Sequence, residues 1–346
     1  MDTAIARILD ANLNRAREAL RVIEEAVRFG ADDADLSASL KQARHDLAAA
    51  ARRLDANALL AARDTAGDVG TAIDTASEQV RDSVDDVIVS AFKRLTEALR
   101  VLAEYGKAVD AEFAAAIEQL RYRCYDLESR VRFEPLRRQR FAEVRLYVLI
   151  TELLCSDDWL TVAERALDGG AECLQLREKA LTDAELLRRA RQLRELTSAR
   201  NALLIVNDRP DIARLADADG VHVGQDDLPI AAARRIVGER ILIGTSTHTL
   251  DQARAALAEP GRPDYIAVGP MFASLTKPQD HVAGTETLAA VLAQIDRPHV
   301  AIGGITPANV GELTAVGCRC VAVCSAVISQ PDVRAAAQAL RDAMGR

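Results

Sequence analysis

The sequence predicts an α/β protein in two parts, an all-α N-terminal domain followed by a barrel of eight parallel strands that alternate with helices. Three observations carry that expectation. Residues 1–128 are rich in Ala, Leu, Arg and Glu, with apolar positions at three- and four-residue steps and no alternating strand pattern. From Arg145 onward, short apolar runs alternate with amphipathic stretches, the pattern of parallel βαβ units. The length of 346 residues exceeds one ordinary domain and suits two, each with its own core.

In the helical part, Leu13, Ala16, Leu20, Ile23 and Val27 form one apolar stripe. A shift of 79 residues yields a second, Phe92, Leu95, Leu99 and Leu102, and EALRV recurs verbatim at Glu18–Val22 and Glu97–Val101. Arg15 aligns with Arg94, Arg21 with Arg100 and Glu25 with Glu104. The match reads as a duplicated helical hairpin, with shared composition as the plainer alternative. Arg15, Glu18, Arg21 and Glu25 lie on one helix side, either as a solvated ion-paired face or as a functional row. The polar stretch Arg63–Thr71 holds Arg63, Asp64, Asp68 and two glycines; it either closes around a nucleotide and Mg²⁺ or connects helices. Residues 129–144, with Pro135 and an arginine-rich run, read as a linker, a solvated connector in preference to a nucleic-acid contact.

The barrel domain is placed at residues 145–346. Strands are expected at Leu146–Ile150, Cys173–Leu176, Leu203–Val206, Gly220–Val223, Ile241–Gly244, Tyr265–Val268, Val300–Ile302 and Cys320–Val323. Eight such strands in about 200 residues make a compact TIM (β/α)₈ barrel, whose active site belongs at the C-terminal strand ends.

Composition narrows the function. Apolar residues at 49% and charged residues at 28% describe a globular protein, and a net charge of −8 argues against nucleic acid as partner. No run approaches a membrane span, and no basic-then-apolar leader opens the chain, so a cytoplasmic protein is expected. The six cysteines contain no CxxC pair and read as reduced core residues. Subunit number is left open, a homo-oligomer included.

The chemistry collects after the strands, in QLREK (Gln175–Lys179), VNDRP (Val206–Pro210), DGVHVGQDDLP (Asp219–Pro229), GTSTH (Gly244–His248), GPMFASLTK (Gly269–Lys277), AIGGI (Ala301–Ile305) and VAVCSAV (Val321–Val327). Asp208 and Asp227, at neighbouring strand ends, can share one Mg²⁺, or serve as a turn residue and a helix cap. Arg177, Lys179 and Lys277 converge on the same rim, where a diphosphate would balance them. Gly303 and Gly304 bare the backbone ahead of an expected helix start at Thr306 and Pro307; with Ser325 they form a second anion site, or the pair only makes a tight turn. His222 and His248 read as packing or hydrogen-bonding residues.

In this order and spacing, the clusters resemble the thiamine phosphate synthases over about Arg145–Arg346. The resemblance implies a transferase that joins a 4-aminopyrimidine carrying a diphosphate to a thiazole phosphate, with small molecules as its partners. It implies that Gln175, Arg177, Lys179, Asn207 and Ser246 bind the pyrimidine diphosphate and that Asp208 and Asp227 hold Mg²⁺. Ser274, Thr276, Gly304, Cys324 and Ser325 would meet the thiazole phosphate, and Lys277 the diphosphate; Arg177, Lys179, Lys277 and Ser246 would carry catalysis. The implied route is dissociative, with diphosphate leaving before the thiazole nitrogen captures a carbocation. Ser274 and Cys324 depart from the commoner Thr and branched aliphatic residues without removing a charge or a metal ligand. Thiazole tautomerases share the barrel but lack the full diphosphate and Mg²⁺ set, which is complete here. The helical part resembles a domain fused ahead of some synthases and associated with ATP-dependent phosphorylation of hydroxymethylpyrimidine phosphate, with a scaffold or oligomerisation role as the alternative; no Walker-type motif marks a nucleotide site.

Overall fold

Helix caps punctuate the first part of the chain. A computed structural model describes residues 1–67, 81–259, 261–273 and 282–345, and it divides into two units, Met1–Pro135 and Leu136–Arg346. The helices are α1 (Thr3–Gly30), α2 (Ala34–Ala51), α3 (Ala56–Ala62), α4 (Val84–Gly106) and α5 (Ala111–Ala142). Side chains of Asp2, Asp33, Asp55, Ser83 and Asp110 accept the first free N–H groups of these helices in turn. Both apolar stripes predicted from sequence are buried, in α1 and α4, and share one core.

The packing extends the duplication to the second helix of each hairpin. Leu36, Leu40, Ala43, Leu47, Ala50 and Leu54 correspond, at an offset of 77, to Phe113, Ile117, Leu120, Cys124, Leu127 and Val131, and every one is buried. The caps Asp33 and Asp110 keep the same offset. On the outside, Arg21–Glu25 at 2.7 Å recurs as Arg100–Glu104 at 3.1 Å, about half exposed in each case. For these four residues the ion-paired face is the one observed.

The arginine-rich segment read as a linker is helical through Ala142, because α5 continues past Pro135. Proline removes one N–H donor, while the Arg, Glu, Leu and Gln around it favour helix. Nor is the segment simply solvated: Arg137 is 5% exposed and buries an ion pair with Asp264 at 2.7 Å.

The second unit is a closed barrel in sequence order, every neighbouring pair parallel. Its strands are β1 (Leu146–Ile150), β2 (Cys173–Leu176), β3 (Leu203–Asn207), β4 (Gly220–Val223), β5 (Leu242–Thr247), β6 (Tyr265–Val268), β7 (His299–Ile302) and β8 (Val321–Val323). All eight expected strands are present. The largest shift is β5, which runs on to Thr247 because Thr245 and Thr247 are buried and the Thr247 hydroxyl donates to the Ala267 carbonyl at 3.0 Å. Around the barrel lie α6 (Trp159–Asp168), α7 (Asp183–Ser198), α8 (Pro210–Leu215), α9 (Ile230–Val237), α10 (Leu250–Ala258), α11 (Gly284–Gln294), α12 (Val310–Ala315), α13 (Ser325–Ile328) and α14 (Val333–Ala343). One apolar layer fills the space between strands and helices, and a smaller one, with Tyr147, Leu149, Ile205 and Tyr265, fills the interior.

The N-terminal mouth is closed by the end of α5. Phe141 stacks flat on Tyr265, ring centroids 3.8 Å apart at 4°. Three carboxylates stand immediately before β2, β4 and β6, and each accepts backbone N–H groups at the preceding strand: Glu172 from Arg145 and Leu146, Asp219 from Leu204, Asp264 from Ile243. Each also meets arginine: Arg341 on Glu172, Arg194 and Arg140 on Asp219, Arg137 and Arg234 on Asp264. The six cysteines are free thiols, and burial raises the pKa of all of them, that of Cys124 and Cys155 to about 12 and that of Cys324 to about 11. Among the described residues, no helix is long and apolar enough to cross a membrane.

Candidate active site

The strand ends deliver the predicted polar groups to the C-terminal mouth. Gln175 lies within β2, almost fully buried, and Arg177 and Lys179 follow that strand. Asn207 is the last residue of β3, and Asp208 comes next in a left-handed conformation, φ 62°. Its N–H donates to the His222 carbonyl of β4 at 2.8 Å, which holds a turn that side chains other than Asn and Asp adopt at a cost.

The Asp208 carboxyl faces that of Asp227 within hydrogen-bonding reach, and Lys179 Nζ stands 3.5 Å from Asp208 Oδ2. Burial and the opposing Asp227 raise the Asp208 pKa above the ordinary carboxylate value, with Lys179 pulling the other way. Asp227 also accepts the Gly224 N–H at 2.6 Å. Neither aspartate caps a helix: α8 and α9 begin after Arg209 and Pro229 with no side-chain cap bond. The donor set suits a hard divalent cation, because two carboxyls forced together gain most from a positive charge between them.

Ser246 lies within β5, and its hydroxyl meets His222 Nε2 at 2.9 Å. His222 Nδ1 meets the Tyr265 hydroxyl at 3.0 Å, and burial depresses the imidazole to about 4, so it is neutral at pH 7. His248 bonds the Gly269 carbonyl through Nδ1 at 2.5 Å. Both histidines therefore serve as hydrogen-bonding residues.

At the far side, Gly303 and Gly304 have φ of 103° and 67°. A Cβ on Gly304 would sit 2.7 Å from the carbonyl oxygens of Phe272 and Ala273, so the pair admits the backbone leaving β6. The helix expected from Thr306 and Pro307 starts later, at Val310. The reason is that the Asn309 side chain accepts the Thr306 N–H and donates to the Gly304 carbonyl, holding a turn first. Cys324 is half-buried at the end of β8, with Arg177 close enough for its charge to act on the thiol, and Ser325 opens α13. Ser274, Thr276 and Lys277 lie outside the described residues, as does Asp68 of the helical part. Arg63 is committed to a two-point bond with Asp10, at 2.7 and 2.8 Å.

Sequence reasoning missed Tyr147 and Tyr265. Gln175 Nε2 donates to the Tyr147 hydroxyl at 2.7 Å, and the two tyrosine hydroxyls lie 3.2 Å apart inside the barrel. The available signal was two of only five tyrosines standing in strand runs, near their starts.

Comparison with known proteins agrees with this architecture. The model described as "Thiamine monophosphate synthase" matches residues 146–327, and that described as "ThiD2 family" matches residues 7–130. The thiamine-phosphate synthase of Rhodopirellula baltica is 41% identical over 99% of this chain and 93% of its own length. That of Thermosynechococcus vestitus is 42% identical over 97% and 94%. Among solved structures, a thiamine phosphate pyrophosphorylase from Pyrococcus furiosus covers 60% of this chain and 97% of its own at 34% identity, TM-score 0.55. With relatives that match it along nearly its whole length, helical part included, the chain belongs to the thiamine-phosphate synthase family of transferases.

Proposed function

We propose that the barrel joins the diphosphate of 4-amino-5-hydroxymethyl-2-methylpyrimidine to a thiazole phosphate with Mg²⁺ assistance, releasing diphosphate and forming thiamine phosphate. The observation that carries this reading is the opposed pair Asp208 and Asp227, with Lys179 beside it at the strand ends. These two aspartates would hold Mg²⁺, which takes one or two carboxylates with phosphate oxygens and water and, when bound, neutralises charge on the departing diphosphate. Arg177, Lys179 and Lys277 hold that diphosphate, while Gln175, Asn207 and Ser246 orient the pyrimidine. Ser274, Thr276, Gly304, Cys324 and Ser325 hold the thiazole phosphate. The C–O bond to diphosphate breaks first, the diphosphate keeping the electron pair, and the thiazole nitrogen then supplies the pair for the new C–N bond. Such a route asks for neutralisation and positioning more than for a protein nucleophile.

The test supplies both substrates with and without Mg²⁺ and measures thiamine phosphate. Product that survives chelation, or survives in Asp227→Ala, would remove the metal from this reading; no product under any condition would remove the reaction.

A second activity is favoured by the match of residues 7–130 to a distinct family model. The helical unit would phosphorylate the pyrimidine monophosphate with ATP and so supply the barrel's substrate. Thiamine phosphate formed from the monophosphate and ATP supports it. Formation from the diphosphate alone would leave the unit as scaffold or oligomerisation surface.

A further inference from the structure

Five side chains from five strands form one hydrogen-bonded chain through the barrel interior. Gln175 of β2 donates to Tyr147 of β1 at 2.7 Å, Tyr147 meets Tyr265 of β6 at 3.2 Å, Tyr265 meets His222 of β4 at 3.0 Å, and His222 meets Ser246 of β5 at 2.9 Å. The middle members are buried, and neither tyrosine hydroxyl bonds any other group among the described residues.

Counting protons fixes the sense of the chain. Tyr147 receives a proton from Gln175, so its own hydroxyl proton has one acceptor available, the oxygen of Tyr265. Tyr265 must then donate to Nδ1 of His222. A neutral imidazole accepting at Nδ1 carries its proton on Nε2, which donates to Ser246 Oγ. Ser246 is left with its own proton to give outward. With Gln175 as donor, reversing any later link would give one tyrosine two donors and leave it a buried proton with no acceptor, one of the costlier defects in a protein interior.

We propose that Tyr147, Tyr265 and His222 are positioning residues that couple the two pyrimidine-binding ends of the site, so that Gln175 presents an acceptor and Ser246 a donor to the substrate. The aminopyrimidine edge carries an amino donor beside a ring-nitrogen acceptor, the complement of that pair. This inference rests on the pyrimidine reading given above. It goes beyond that reading by making the hydrogen-bonding sense of Ser246 depend on Gln175, three hydrogen-bonding groups away. Phe141, stacked on Tyr265, holds the middle of the chain in place from the closed end of the barrel.

Two measurements on the full-length chain test it. In steady-state turnover, Tyr265→Phe keeps the ring and its stack while deleting one link, and Tyr147→Phe deletes another. Each is expected to raise KM for the pyrimidine diphosphate about tenfold and to leave KM for the thiazole phosphate nearly unchanged, with the unfolding temperature lowered by several degrees for the buried polar groups left without a partner. The double variant is expected to be no worse than either single one, because a chain broken twice is still broken. Losses that multiply, or single variants with unchanged KM, would overturn the coupling.

The second measurement needs no substrate. Nitrogen NMR of ¹⁵N-histidine protein, with His222 assigned from His222→Gln, should show a neutral Nε2–H imidazole. Gln175→Glu, which turns the end group into an acceptor, should move it toward Nδ1–H. An Nδ1–H imidazole in the unaltered chain, or one indifferent to Gln175→Glu, refutes the proposed sense. If the unaltered chain makes no thiamine phosphate, the reaction reading fails, and the imidazole still decides the chain.

Discussion

The two mouths of the barrel use the same side chain for opposite ends. At the N-terminal mouth, Glu172, Asp219 and Asp264 each accept strand N–H groups and meet at least one arginine. At the C-terminal mouth, Asp208 is set against Asp227, with Lys179 Nζ 3.5 Å from Asp208, and the Asp208 proton is held more tightly than a carboxyl's usually is. One set of carboxylates is matched with arginine by the fold, while in the other two carboxyls are set face to face. The difference teaches that an acidic residue in a parallel barrel is read by the strand end it occupies, stability at the start and chemistry at the finish.

The largest effect that tests this contrast is Asp264→Ala. It strands Arg137 and Arg234, 5% and 7% exposed by side chain, without their buried partner. Breaking such a pair costs about 3–5 kcal/mol, so calorimetry should show the barrel transition fall by roughly 10 °C while pyrimidine affinity of the surviving folded protein is unchanged. An Asp264→Ala barrel that melts with the unaltered one would dissolve the distinction between the mouths.

Acid titration comes next. The unfolded chain protonates His222 near 6.5, but the folded chain resists until about 4. The folded pKa is depressed, so the stabilisation is fully present above 6.5 and is lost as pH falls toward 4, at up to about 1.4 kcal/mol per pH unit. Urea unfolding between pH 6.5 and 5 should show that slope in the unaltered chain and a flatter one in His222→Gln.

Asp208→Asn should separate the two properties. Asn accepts the 62° φ, and the opposed charge disappears. Without Mg²⁺ the barrel should gain about 1 kcal/mol, roughly 2–4 °C, while turnover falls on the order of a hundredfold. A variant less stable than its parent would show that the pair is not in opposition. Smallest of all, Arg21→Ala or Arg100→Ala, on half-exposed helix pairs, should change stability by less than about 0.5 kcal/mol.

Much of this was legible in the sequence because it is local. The strands are short runs of three to six residues, most of them apolar, and Asp208, Asp227 and Lys179 announce themselves by following one. What stayed hidden depends on distant partners. Arg137 looks like linker until Asp264 arrives 127 residues later. Tyr147 and Tyr265 look like ordinary strand aromatics until barrel closure sets their hydroxyls face to face. Asn309 delays a helix start by bonding back to Gly304, which Thr306 and Pro307 do not reveal.

Ring closure also has a consequence in time. Strand β1 pairs with β8, Leu146 against Val321, so the first wall of the barrel waits for the last. At about 5–20 residues per second, a ribosome needs roughly ten to thirty-five seconds between them. Throughout that interval the helical unit is already made and free to fold, while one edge of β1 stands without its neighbour and exposed to pairing with other nascent chains.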